Sequence, residues 1–170
     1  MPLTDIRPLD DALPFGVRIG GVTRELLEDE AIRKEIDDLF VEHGMIVFEN
    51  VEQTDEMQLA LSSCFGPLKE HPVKTVSRVD SDRMPGVVEI AARPENGGIV
   101  ELEGKQLTHW LPWHFDHCYN DELNRAGVLR AVEIPSQGGR TGFADGIELY
   151  RALTIDPREA RRQRALAGRG

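Results

Sequence analysis

The spacing of the apolar residues changes at Gly66-Pro67, and this change constrains the fold more than any other feature of the chain. Before it, apolar residues recur every three or four positions, which is typical of amphipathic helices. We therefore predict one helix over 24–43 and a second over 55–64, with short strands at 15–21 and 45–48. The apolar stripe of the first helix consists of Leu27, Ile32, Ile36, Leu39 and Phe40.

Residues that favour helix ends bound both of these segments. Thr23 precedes the first helix and is predicted to cap it, and Gly44 is predicted to end it. Thr54 or Asp55 is predicted to cap the second helix. These residues support the helical interpretation independently of the apolar spacing.

Beyond Gly66-Pro67, short apolar runs alternate with turn residues. A polar loop is predicted over 93–105 and a helix is predicted to begin near Asp145. This order is typical of an antiparallel barrel or jelly roll with added helices. The predicted fold class is therefore α+β or mainly β, a partial double-stranded β-helix (jelly roll) with N-terminal helices. The predicted strands are 73–76, 87–91, 113–119, 127–134 and 141–144.

The charge of the chain argues against nucleic acid as a partner. The formal net charge is -10, whereas a phosphate backbone is bound by a basic surface. No apolar run reaches membrane-spanning length, so no membrane partner is expected. The N-terminus shows no signal peptide, and two cysteines without a CxxC spacing fit a reducing environment, so we expect a cytoplasmic protein.

The end of the sequence differs in composition from the rest. Residues 157–170 contain five arginines and one glutamate, and they are otherwise rich in alanine and glycine. We therefore predict one domain over 1–153 and a basic, arginine-rich tail over 154–170 that does not belong to it.

The segment Trp113-His114-Phe115-Asp116 carries the clearest chemical signal. On a strand, His114 and Asp116 would point to the same face, because side chains alternate with a period of two. One imidazole and one carboxylate on one face form two corners of the two-His-one-carboxylate triad that holds ferrous iron and leaves positions open. The alternative is a hydrogen-bonded surface histidine beside a solvated aspartate. His117 would point to the opposite face, and Cys118 is expected to be a small buried hydrophobic residue.

Several landmarks in order along the chain resemble the TauD/TfdA family of Fe(II)/2-oxoglutarate-dependent dioxygenases. The resemblance covers nearly all of residues 3–152. The landmarks are Val17-Arg-Ile-Gly-Gly-Val, Gly44-Met-Ile-Val-Phe, Cys64-Phe-Gly-Pro-Leu with His71-Pro72, Trp113-His-Phe-Asp, and Pro135-Ser-Gln-Gly-Gly-Arg-Thr-Gly-Phe-Ala-Asp. Together they are specific, although each alone is common.

The resemblance implies roles for five residues. His114 and Asp116 would be catalytic residues and ligands of Fe(II), and the Thr141 hydroxyl would contact the carboxylate of 2-oxoglutarate. His71 and Trp113 would line the substrate pocket. His71 could equally pack at its turn, and for Trp113 packing beside the metal strand is favoured over contact with the substrate. The implied reaction uses Fe(II), 2-oxoglutarate and O2 to hydroxylate a small molecule, and a homo-oligomer is left open.

One expected part of the site is missing from the sequence. The family's third ligand is a distant histidine followed by an arginine, but no histidine occurs after His117. We therefore expect a chain truncated before the distal His and Arg, with doubtful activity. Two rival interpretations remain: an inactive remnant or partial chain of such an enzyme, and a cupin-like metal-binding protein that recruits another ligand such as His109.

Overall fold

A computed structural model describes residues 3–69, 78–80, 84–91, 99–108 and 111–152. These residues form a mixed α/β structure with three short sheets and three α-helices. In chain order the elements are β1 (Asp5–Pro8), β2 (Val17–Gly20), a 3-10 helix (Leu26–Glu28), α1 (Glu30–His43), β3 (Ile46–Glu49), α2 (Asp55–Ser63), β4 (Arg78–Asp80), β5 (Met84–Val88), β6 (Ile99–Leu102), β7 (Lys105–Thr108) and α3 (Gly146–Ala152).

The first sheet is built around β2. Strand β1 pairs antiparallel to β2, and β3 pairs parallel to it, so the order is β1-β2-β3. A parallel pair needs a crossover connection, and α1 lies within that connection. The strands predicted at 15–21 and 45–48 are thus confirmed, with slightly different bounds.

The first helix begins later than its sequence predicts. Thr23 Oγ1 accepts a hydrogen bond from Leu26 N at 3.3 Å, but only a short 3-10 helix follows, and its N-cap residue is Glu25. Asp29 then caps α1, because its carboxylate accepts from Ala31 N at 2.9 Å. The predicted start was therefore wrong, since a second capping residue follows the first. The end at Gly44 is confirmed: its φ of 72° is the left-handed conformation that glycine adopts without strain.

The core lies between the first sheet and the two helices that follow. Its largest fully buried side chains are Ile19, Ile32, Ile36 and Met57. The hydroxyl of Thr54 accepts from Met57 N at 3.2 Å, which confirms Thr54 as the cap of α2. Burial of each such side chain contributes roughly 1.5–3 kcal/mol to the free energy of unfolding. This region is the best-packed part of the described chain.

Two hairpins follow, and one of them replaces a predicted loop. Strands β6 and β7 pair antiparallel within the range 93–105 and just beyond it, so the loop prediction was wrong there. Glu103 and Gly104 have φ values of 51° and 72°, as required at both central positions of a tight hairpin turn. The other hairpin joins β4 and β5, and β5 overlaps the predicted strand 87–91 only at its end. The predicted strand 73–76 lies outside the described residues, as does the tail 154–170.

Residues 111–152 contain no strand, so the strands predicted at 113–119, 127–134 and 141–144 were wrong. An extended segment becomes a strand only when another strand pairs with its backbone, and no such partner is present among the described residues. The predicted helix near Asp145 is confirmed as α3, where Asp145 Oδ1 accepts from Ile147 N at 2.8 Å.

The described residues therefore do not by themselves form the predicted jelly roll. The large apolar side chains of 111–152 remain exposed, with Ile134 reaching 81%. Within the described part of the chain, no helix has the length and apolar character needed to cross a bilayer.

Candidate iron-binding site

His114 and Asp116 meet although the strand that was expected to align them is absent. The Nε2 atom of His114 lies 3.2 Å from Oδ1 of Asp116. The backbone bends at Trp113 and enters a turn at Asp116, and this bend brings the two side chains together. Both side chains are largely exposed, at 56% and 78%. The expected pair is thus present, but the expected enclosure by a barrel is not.

A hydrogen bond to the backbone orients the His114 ring. Nδ1 of His114 lies 2.7 Å from the carbonyl oxygen of Pro112. A carbonyl can only accept, so Nδ1 carries hydrogen and donates it. In the neutral ring, Nε2 then presents its lone pair to the Asp116 carboxylate, which also has only lone pairs to offer. Two acceptors at this distance need a cation between them, either a proton or a metal ion.

The pKa of His114 reflects the same arrangement. It is raised above its ordinary value, first because the Pro112 carbonyl accepts from the ring and then because the negative charge of Asp116 favours the imidazolium. Both groups thus favour a positive charge on the His114 ring.

The two donor atoms fit one divalent cation. Neighbouring ligands at about 2.1 Å from an octahedral ion stand about 3 Å apart, close to the distance between Nε2 and Oδ1. An imidazole and a carboxylate are also two of the three ligands of the iron triad. Among the residues that the structure describes, no group of three histidine, cysteine, aspartate or glutamate side chains could hold a metal. The described residues therefore bring together two candidate donor atoms.

The two residues after Asp116 differ in their surroundings. His117 has a φ of 55°, and its ring lies 6.0 Å from that of Tyr119. It is half-buried and does not form a three-donor group with His114 and Asp116. Cys118 is exposed, so its predicted role as a buried hydrophobic residue was wrong. Cys118 lies in the turn that begins at Asp116, and its side chain is accessible to solvent.

Trp113 and the Thr141 segment are close to each other. A Cβ atom built on Gly142 would lie 2.7 Å from Cη2 of Trp113, so the indole ring rests directly on the Gly142 backbone. Trp113 is exposed on its other side, and Thr141 is also exposed. The structure thus brings together two of the predicted site's segments, 113–116 and 141–142, whereas His71 and His109 lie outside the described residues. Gly142 was missed, although a glycine inside a strand-like run indicates a close backbone approach.

Two arginines attach the segment between Asp116 and Thr141 to the helices, and neither contact was predicted from the sequence. Arg125 donates from two nitrogens to Asp37 of α1: Nη2 lies 2.7 Å from Oδ2 and Nε lies 3.2 Å from Oδ1. Arg130 forms an ion pair with Asp55 and a 3.1 Å hydrogen bond to Gln58 Oε1, both on α2. The apolar residues around Arg130 suggested a strand but gave no sign of this contact. The segment is therefore fixed to the helices by side chains.

Comparison with known proteins places this geometry in context. The chain is 32% identical to an (S)-phenoxypropionate/alpha-ketoglutarate-dioxygenase of Sphingobium herbicidovorans, over 91% of this chain and 50% of that protein. It is 27% identical to an alpha-ketoglutarate-dependent 2,4-dichlorophenoxyacetate dioxygenase of Cupriavidus pinatubonensis, over 78% of this chain and 47% of that protein. It is 28% identical to an alpha-ketoglutarate-dependent sulfate ester dioxygenase of Pseudomonas putida, over 91% of this chain and 46% of that protein.

The chain spans about half the length of these curated relatives. No solved structure gives a significant match. A family model, that of the taurine catabolism dioxygenase TauD, TfdA family, matches residues 5–167. With a match over nearly the whole sequence and a relative 32% identical over most of it, the chain belongs to the TauD/TfdA family.

Proposed function

We propose that this chain provides His114 and Asp116 as two iron ligands of an Fe(II)- and 2-oxoglutarate-dependent dioxygenase that hydroxylates a small organic substrate. The observation that carries the proposal is the 3.2 Å approach of His114 Nε2 to Asp116 Oδ1. Enzymes of the family use Fe(II), 2-oxoglutarate and O2. When bound, Fe(II) and 2-oxoglutarate would let O2 act as the oxidant: one oxygen atom would enter succinate as carbon dioxide is released, and the other would enter the substrate as a hydroxyl group.

The roles of the protein residues follow from their chemistry. The Pro112 carbonyl holds the His114 ring with Nε2 toward Asp116, so the ligands are oriented before a metal binds. Thr141 carries a hydroxyl that can donate to a carboxylate of 2-oxoglutarate. Trp113 and His71 are proposed to contact the substrate. In each case the protein supplies binding and orientation.

We propose further that the whole protein forms the jelly roll of this family around the site. The many large apolar side chains exposed between 111 and 152 support this proposal, because a folded domain usually buries most such side chains. A second sheet packed on them would remove them from water and enclose His114 and Asp116. The three substrates named for the relatives are small organic acids or esters of an acid. A small, anionic organic substrate is therefore proposed here as well.

Anaerobic titration of the chain with Fe(II) and then 2-oxoglutarate tests the proposal. We expect a charge-transfer absorption band that depends on both, and succinate when O2 and a substrate are admitted. His114→Ala and Asp116→Ala should each abolish the band, whereas His117→Ala, in the same segment, should keep it.

The other outcomes separate the rival interpretations. One outcome is that the chain retains iron through His114 and Asp116 and yet forms no succinate. That result would support the two ligands and would identify a partial or inactive chain. Tight metal binding with no dependence on 2-oxoglutarate would favour a cupin-like metal-binding protein. Iron binding unaffected by both alanine variants, or no iron binding, would contradict the proposal.

A further inference from the structure

The segment 122–130 lies against α1 and α2 with polar groups turned toward them. Nζ of Lys69, which follows α2, donates to the Glu122 carbonyl at 2.8 Å and lies 3.1 Å from Oε2 of the same residue. Arg125 pairs with Asp37 of α1 through two of its nitrogens. The first half of the segment is therefore held by two ion pairs.

The second half of the segment is held by side chains of α2. Nε2 of Gln58 donates to the Val128 carbonyl at 3.3 Å, and Oε1 of Gln58 accepts from Arg130 Nε at 3.1 Å. Arg130 also forms an ion pair with Asp55. These contacts join residues 53 to 88 positions apart in sequence, and all of them are hydrogen bonds or ion pairs.

Apolar packing contributes little to this attachment. No residue of 111–152 is buried, and the core cluster between the first sheet and the helices contains none of them. Within the segment, Ala126 and Val128 are half-buried, whereas Leu123 and Leu129 are 68% and 62% exposed. A segment that belonged to the core would turn its leucines inward. The attachment is therefore mainly electrostatic.

One buried atom opposes the docked arrangement. Oδ1 of Asn124 is buried and accepts no hydrogen bond from the described residues. A buried acceptor without a donor is unfavourable, and this atom gains hydrogen bonds to water when the segment leaves the helices. The balance between the docked and the released segment is therefore closer than the number of polar contacts indicates.

We infer that residues 122–130 form an ionic-strength-sensitive strap, which charged and amide groups dock on α1 and α2 and which leaves them as one unit when salt screens these groups. A single exposed ion pair changes an equilibrium only about two- to fivefold, but three such pairs act on this short segment. Their attraction extends over about 10 Å at 0.1 M salt and over about 3 Å at 1 M. Release frees the stretch between Asp116 and Thr141 from the helices. The inference goes beyond the proposed function and does not depend on iron binding.

Limited digestion with trypsin tests the strap, because the protease must bind arginine side chains that the docked strap holds in ion pairs. Mass spectrometry compares cleavage after Arg125 and Arg130 with cleavage after Arg140, an exposed arginine outside the strap. Raising NaCl from about 0.1 M to about 1 M should speed cleavage at the two strap sites about tenfold relative to Arg140. Cleavage after Arg33, within α1, should stay slow, which shows that the helices remain folded.

A charge substitution tests whether the strap moves as one unit. Arg125→Glu places a negative charge beside Asp37 and should speed cleavage after Arg130 about fivefold at low salt. Adding Asp37→Lys restores an ion pair and should return the rate to within about twofold of the unsubstituted chain. Lys34→Glu is the matched control, because it makes the same change in net charge at a lysine that pairs with Asp38 on α1, and it should leave the rate unchanged.

Three results would overturn the inference. Salt could speed cleavage equally at the strap sites and at Arg140, Arg125→Glu could behave like Lys34→Glu, or Asp37→Lys could fail to restore the rate. All of these measurements use the metal-free chain, so the proposed function is tested separately. Its failure would appear as a loss of iron binding while the salt response of the strap stayed intact.

Discussion

The guanidinium group of Arg130 forms an ion pair with the carboxylate of Asp55 across 75 residues of sequence. The same group donates to Gln58 Oε1 and to the Gln53 carbonyl, each at 3.1 Å. Both charged side chains are only partly accessible, at 21% and 29%. A charge held by several partners in this way anchors the segment between the proposed iron ligands and Thr141 to the start of α2.

Replacement of Arg130 by alanine should therefore destabilise the chain. We expect the free energy of unfolding to fall by about 1.5–3 kcal/mol, the range for hydrogen bonds to charged groups that leave a partner unsatisfied. Urea denaturation measures the change. Arg140→Ala, at an exposed arginine of the same segment, should stay within about 0.5 kcal/mol of the unsubstituted chain. In a double-mutant cycle with Asp55→Ala the two losses should not add, and strict additivity would contradict the anchor.

The titration of His114 gives a second prediction. Its pKa in the metal-free chain should lie above about 6.5, the ordinary value for histidine, because the Pro112 carbonyl and then Asp116 favour the imidazolium. Asp116→Asn should lower this pKa but leave it raised, since the Pro112 hydrogen bond is the larger cause. Proton resonances of the ring, followed against pH, report both values. A pKa unchanged by Asp116→Asn would argue against the pairing of the two side chains.

The sign of the pH effect differs for folding and for metal binding. Because folding raises the pKa of His114, the protonated ring stabilises the folded chain at pH values below the pKa of the unfolded chain. This contribution is lost as the pH rises through the pKa of His114 in the folded chain. Fe(II) must displace the same proton, so its apparent affinity should fall about tenfold for each pH unit below the raised pKa. Fe(II) titrations at several pH values check this. Affinity that rises on acidification would contradict Nε2 of His114 as the ligand atom.

Local signals in the sequence were sufficient for the N-terminal part of the fold. Gly44 and Thr54 define helix ends through their own backbone and side-chain chemistry, so the end of α1 and the start of α2 were predicted correctly. The start of α1 was not predicted correctly, because Thr23 and Asp29 can both cap a helix and only packing decides between them. The tight turn at Glu103-Gly104 was missed because a polar pair in a polar stretch looks the same in a loop and in a hairpin.

Strands after residue 111 could not be predicted in this way. Alternation of apolar residues shows which side chains would share a face, but a strand also needs a second strand to pair with. The site likewise combines a feature that the sequence predicts with features that only the folded structure shows. The approach of His114 to Asp116 was predicted from strand geometry, and the pair does meet, but a bend brings it together. The contact of Trp113 with Gly142 spans residues far apart in sequence, so it could only be seen in three dimensions.

The core gives a third prediction, on α1. Ile36 is fully buried at 0% exposure, whereas Val41 on the same helix is 68% exposed. Ile36→Ala should lower the free energy of unfolding by about 3 kcal/mol, because it removes buried methyl groups and leaves a cavity. Val41→Ala should change it by less than about 0.5 kcal/mol. Chemical denaturation of both variants compares the two directly, and similar losses would mean that the described core is not the one that stabilises the chain.

The two cysteines should differ in reactivity, which is the fourth prediction. Cys64 is buried, and burial raises the pKa of its thiol to about 11, so it stays protonated and unreactive at neutral pH. Cys118 is exposed in the turn after Asp116. A disulfide reagent such as dithionitrobenzoate should therefore modify one thiol rapidly in the folded chain, and Cys118→Ser should abolish that phase while Cys64→Ser keeps it. Rapid modification that survives Cys118→Ser would show that Cys64 is accessible and that the packing of α2 on the sheet is looser than the structure describes.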